Sequence, residues 1–110
     1  MRFQIIFTCL ALLLASPLNA AVVLQYHHVS TETPASTSTS PERFAMHLEY
    51  LDENGFEIMP LQDLVDLLVA GEPLPDRTAA ITFDDGYISI YDTAWPLLKE
   101  KGWPFTVFVN

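Results

Sequence analysis

A chain of 110 residues that is 50% hydrophobic has the apolar content of one globular unit, or of part of one, rather than of a disordered tail. Five basic residues against fourteen acidic ones leave a net charge of −9, which argues against a nucleic-acid backbone or an anionic membrane surface as the partner.

Residues 1–20 read as an export leader. Arg2 supplies a minimal positive start, Ile5 to Ala15 form an apolar run, and Ser16-Pro17-Leu18-Asn19-Ala20 breaks that run and ends in small residues. Cleavage is expected after Ala20 or Ala21. The run falls short of the roughly 20 apolar residues a spanning helix needs, so no stable membrane span is expected. Leu18 is larger than ideal three residues before the cut, and a retained anchor is the alternative. Cys9 is the only cysteine and lies in this leader, so residues 21–110 have no disulfide and no thiol chemistry. The expected location is secreted or periplasmic.

From Ala21 the chain alternates. AVVLQY (Ala21 to Tyr26) is a short β-branched run and reads as a buried strand. Val29 to Ser40 is rich in Ser and Thr and reads as a loop. Ser40-Pro41-Glu42 starts a helix, with serine as cap, proline in the first turn and an acid near the positive helix end. Phe44, Leu48 and Leu51 continue it at helical spacing, and Asn54-Gly55 closes it. Phe56 to Met59 is a brief extended segment. Leu61, Leu64, Val65 and Leu68 form a second apolar helical stripe that ends at Gly71. Pro73 and Pro75 mark a turn, and Ala79 to Phe83 is the next buried strand. A third helix is expected within Ser89 to Lys101, with Pro96 in its first turn or kinking it. Phe105 to Val109 (FTVFV) is a further strand.

Strands alternating with helices predict an α/β fold built on a parallel sheet or barrel. A strand as apolar as FTVFV needs helices over its outer face, and a complete (β/α)₈ barrel takes around 250 residues, so the expectation is the front part of a larger domain. In such folds chemistry collects at the carboxyl ends of the strands. ITFDDGY puts Asp84 and Asp85 at one such end, and Tyr26-His27-His28 lies at another, so both groups should share a rim. Adjacent strand residues point opposite ways, so the two aspartates cannot be equivalent. One can hold a metal while its neighbour faces the bound water, an arrangement suited to hydrolysis.

Plainer readings stand beside this one. Asp-Asp-Gly alone is a common turn, and one of His27 and His28 should be a packed residue. His47, beside acids on the first helix, is expected to be a solvated surface residue. Tyr91, Trp95, Trp103 and Phe105 are expected to pack in the core and between helices rather than to stack on sugars.

ITFDDGY followed by YDTAWPLLKEKGWPFTVFVN, with VLQYHHVS and PERFAMHLEYLDENGFEIMPLQDL upstream, resembles the polysaccharide deacetylases of the NodB-homology type (carbohydrate esterase family 4). Within that family it is similar to the exported branch that includes poly-N-acetylglucosamine deacetylases. The resemblance covers nearly all of residues 21–110, a partial domain, and implies the N-terminal portion of a distorted (β/α)₇ barrel. It implies hydrolytic N-deacetylation of an N-acetylglucosamine-containing polysaccharide, with Asp84 as general base and Asp85 as a ligand of a divalent metal, zinc. His27 matches an early Tyr-His element near the active-site rim, which implies a place against substrate and not on the metal. The family's second motif supplies two histidines as the remaining ligands, and neither it nor the later motifs occur in these residues. A catalytic zinc usually takes three protein ligands, so residues 21–110 alone are expected to be inactive. Two other readings remain: a non-catalytic carbohydrate-binding or assembly protein on a degraded deacetylase fold, and a receiver-like phosphoacceptor domain. The second would require a third aspartate on a middle strand and a late lysine.

Overall fold

A computed structural model describes residues 20–110; the leader, its cleavage site and Cys9 lie outside or at the edge of that range. In chain order the elements are β1 (Ala21–Tyr26), β2 (His28–Val29), β3 (Ser38–Thr39), α1 (Pro41–Glu53), β4 (Glu57–Ile58), α2 (Leu61–Ala70), β5 (Thr78–Asp84), α3 (Trp95–Lys101) and β6 (Thr106–Phe108).

TAAITFD forms the central strand because six residues in a row, Thr78 to Phe83, are buried on both faces. One edge of β5 is taken by β1, parallel and in register from Ala21 opposite Thr78 to Tyr26 opposite Phe83. The other edge is shared by two short parallel strands, β4 against Thr78 and Ala79 and β6 against Thr82 to Asp84. The two buried threonines are satisfied locally, Thr78 Oγ1 donating to the Pro75 carbonyl (2.7 Å) and Thr82 Oγ1 to the Leu24 carbonyl (2.9 Å).

The helices fall on both faces. Connections from β1 to β4 and from β5 to β6 cross the sheet one way, while the connection from β4 to β5 runs back. Right-handed crossovers in opposite directions place their helices on opposite faces. Accordingly Phe44, Leu48 and Leu51 of α1 and Leu98 of α3 join Ala79, Ile81 and Phe83 in one core cluster. Leu64 of α2 packs with Leu74 and Ala80 in the other. Lys101 ties α3 to α1, with Nζ 2.9 Å from Glu49 and 2.8 Å from Asp52.

Helix α1 begins as its sequence dictates: the Ser40 hydroxyl accepts from the Arg43 amide (3.2 Å) and Pro41 occupies the first turn. Helix α2 departs from the expected stripe. Leu64 is buried and Leu61 and Leu67 are partly buried against its cluster, while Val65 and Leu68 are exposed. The helix is apolar over a broad arc, and the sheet takes only one side of it. Pro96 resolves into a wide turn rather than a sharp kink. Its missing N–H and its ring are incompatible with the ordinary bond to residue 92, and Ile90–Ala94 form a π-helical turn just before it, with the Trp95 amide bonded to the Ile90 carbonyl. The expected loop 29–40 contains a small ladder of β2 and β3 around a 3₁₀ turn at Ala35–Thr37. Strand β6 is shorter than FTVFV suggests; Phe105 packs edge-on against Phe83 (5.7 Å), and Phe108 and Val109 are exposed. Among the described residues no helix is long and apolar enough to cross a membrane.

Candidate functional site

The expected rim forms. Because β1 and β5 run parallel with Tyr26 opposite Phe83, the next residues, His27 and Asp84, come together, His27 Nε2 lying 3.4 Å from Asp84 Oδ2. Gln25 pairs with Thr82, and Asp84 stands two residues further along the same face of β5. From there the Gln25 amide donates Nε2–H to Asp84 Oδ2 at 2.5 Å. The Asp84 side chain remains about a quarter exposed, at 26%.

Asp85 is held differently. It has φ of +72°, and Gly86 follows at +68°, so two successive residues occupy the left-handed region. That conformation costs an ordinary L-residue roughly 1–2 kcal/mol, and Asp is one of the few side chains that tolerate it. The turn is fixed by the Asp85 amide, which donates to the Phe108 carbonyl (2.9 Å), and by Asn110 Nδ2, which donates to Asp85 Oδ1 (2.6 Å). The negative charge of the nearby Asp85 carboxylate raises the Tyr87 phenol above its ordinary titration range. The Tyr87 ring stacks on His28 with centroids 3.6 Å apart. Ser89 Oγ accepts from the Val29 amide (3.0 Å) and pins β2 to the start of the third helical segment. The two neighbouring acids are therefore distinct: Asp84 meets Gln25 and His27, and Asp85 meets Asn110 and Tyr87.

Two groups differ from expectation. His47 is partly buried rather than fully solvated, its Nδ1 lying 2.8 Å from the Tyr26 hydroxyl. Burial pushes that phenol up to about 12. The signal was available, since His47 lies three residues after Phe44 and four before Leu51, on the flank of the buried stripe. The pair borders a groove of about 510 Å³ that also touches Val22, Leu24 and Phe56. Tyr91 and Trp95 do not enter the core; they stack on one another at 5.2 Å and are 63% and 36% exposed. They line a trough of about 440 Å³ beside Gly86, with Phe105 and Val107 of the β6 region opposite. Trp103 and Phe105 do pack against the core as expected.

A zinc centre usually needs three protein donors grouped together. Among the described residues no three His, Cys, Asp or Glu side chains are so placed. Asp85 offers one carboxylate, and the described residues do not by themselves fit a complete metal centre.

Comparison with known proteins converges on one family. The sequence profile described as polysaccharide deacetylase matches residues 71–110. The poly-beta-1,6-N-acetyl-D-glucosamine N-deacetylase of Escherichia coli (strain K12) is 33% identical over 94 residues, which make up 80% of this chain and 13% of that protein. Among solved structures, IcaB from Ammonifex degensii superposes with a TM-score of 0.73 at 36% identity, covering 83% of this chain and 38% of the other. A de-N-acetylase from Aggregatibacter actinomycetemcomitans gives 0.64 at 26% identity, covering 79% and 36%. The α/β arrangement is thus that of these deacetylase barrel domains, and the chain spans well under half the length of each relative.

Proposed function

On the premise that the chain belongs to the polysaccharide deacetylase family, we propose that it carries part of the active-site rim of an exported hydrolase. The reaction is removal of acetyl groups from an N-acetylglucosamine polysaccharide. Water attacks the acetyl carbonyl carbon, the carbon–nitrogen bond breaks, the amine takes a proton, and acetate leaves. Asp84 acts as the general base that receives the water proton, His27 lines the substrate side of the rim, and Asp85 contributes one carboxylate toward a divalent metal, zinc. No step is routed through that metal, since the described residues do not complete its donor set.

The observation that carries the reading is the divergence of the two acids at the carboxyl end of β5. Asp84 stays on the strand face beside His27 and Gln25, while the left-handed turn sends Asp85 to separate partners. A base and a ligand need that separation, because a carboxylate committed to a metal is a poor proton acceptor. The names of the relatives support the substrate class, and the leader at residues 1–20 supports export.

The test, in a protein that carries the complete deacetylase domain, uses acetate release from N-acetylglucosamine oligomers together with metal analysis. Asp84→Asn should lower turnover by on the order of 10²-fold or more while leaving metal content unchanged, and Asp85→Ala should lose bound metal. Equal metal content in the two variants would overturn the roles. A second reading is a carbohydrate-binding protein without turnover; oligomer binding with no acetate release in any variant would establish it.

A further inference from the structure

We propose that Gln25 is a positioning residue for the Asp84 carboxylate, holding Oδ2 so that Oδ1 is the oxygen presented to the attacking water. This rests on Asp84 being the base. Gln25 stands opposite Thr82 on the neighbouring strand, and its side chain reaches along the shared face to Asp84, where Nε2–H meets Oδ2 at 2.5 Å. A hydrogen bond to an ionised carboxylate is about twice as strong as a neutral one. His27 Nε2 approaches the same oxygen only to 3.4 Å, beyond a firm hydrogen bond, so the glutamine is the closer grip. The one hydroxyl on this face between them, on Thr82, is spent on the Leu24 carbonyl and does not compete. Among the described residues no hydrogen bond reaches Asp84 Oδ1.

The carboxylate is therefore gripped on one oxygen and open on the other. Asp84 is the last residue of its strand and is followed by the strained Asp85-Gly86 turn, so without a tether its side chain has little to fix its rotamer. A neutral amide fixes orientation without adding a competing charge beside the base. Misplacing a reacting group by about 1 Å can cost on the order of 10²-fold in rate, so the orientation matters for turnover more than for folding.

In a protein that carries the complete deacetylase domain, the experiment compares the parent with Gln25→Met, which keeps the length and removes the donor, and with Gln25→Glu, which sets an acceptor against Asp84. Gln25 is exposed, so both variants should fold as the parent does. Three-bond couplings measured by NMR should report one fixed Asp84 χ1 rotamer in the parent and rotamer averaging in both variants. In acetate release, kcat should fall roughly 10-fold in Gln25→Met with KM within about twofold, the split expected when orientation and not binding is lost. A fixed Asp84 rotamer in Gln25→Met, or a kcat equal to the parent's, overturns the proposal. A parent that releases no acetate sinks the hydrolase reading, and the couplings then still decide whether Gln25 orients the carboxylate.

Discussion

The face of β5 that carries Ala79, Ile81 and Phe83 and the face that carries Ala80, Thr82 and Asp84 come from alternate residues of one strand, yet they are packed by very different side chains. On the first, rings interlock: Tyr26 meets Phe44 edge-on at 5.0 Å, and Phe83 lies within 6.0 Å of Tyr26, Phe44 and Phe105. Helices α1 and α3 both pack there and are joined through Lys101. On the second, the strand offers small side chains, α2 supplies Leu64, and Val23, Val65, Leu68 and Val69 remain exposed. Gln25 and Asp84 lie at the end of this second face, beyond its buried residues Ala80 and Thr82. Ring packing is thus concentrated on one face, and the Gln25–Asp84 pair sits at the end of the other.

The largest effect should come from emptying the ring-filled face. Phe83 is fully buried and touches three other aromatic rings, so Phe83→Ala should cost about 3–5 kcal/mol in chemical denaturation. Val23→Ala, on the opposite face, removes side-chain atoms that are already half in water and should cost under about 1 kcal/mol. Comparable losses from the two variants would break the division between the faces.

That division was only half legible in the sequence. Apolar runs bounded by turn residues fixed β1 to the residue and β5 nearly so, and the shared rim followed from their parallel direction. The start of α1 was legible because a cap is a local bond between neighbours, here Ser40 and Arg43. Spacing tells which residues share a face, however, and not how far a neighbouring element covers it. Hence Val65 and Leu68 belong to the apolar stripe yet lie outward, while Tyr91 and Trp95 stack in the open. The Gln25–Asp84 contact spans 59 positions, and only the register of β1 on β5 creates it. The bond between His47 and Tyr26 is hidden for the same reason, because its two partners lie on different elements.

A middling effect should follow from the turn that separates the acids. Gly86 has φ of +68°, and a Cβ there would sit 3.4 Å from Val109 Cγ1, at the edge of ordinary contact. The cost of Gly86→Ala is thus chiefly conformational, about 1–2 kcal/mol. The same substitution should disturb Asp85 and leave the ring-filled face intact, which amide exchange in β5 and α1 can read. Loss of protection throughout α1 would show that the turn and the core are one cooperative unit rather than two.

The smallest effect concerns the polar group set into the ring-filled side, the Tyr26 hydroxyl bonded to His47. At neutral pH, Tyr26→Phe should cost on the order of 1 kcal/mol, the net worth of a typical hydrogen bond. Its pH dependence carries more information. Burial holds the folded phenol at about 12 against 10.0 unfolded, so folding favours the protonated form. That contribution is fully present below pH 10 and is lost as pH climbs toward about 12, because the unfolded chain then sheds a proton that the folded chain retains. The parent should therefore lose its advantage over Tyr26→Phe across this interval, and the order of stabilities should reverse at its upper end. Denaturation of both proteins along an alkaline series reads this directly, since all other titrating groups are common to the pair. Parallel curves would mean that the Tyr26 hydroxyl meets solvent freely, and the close ring packing of the first face would not extend to the rim.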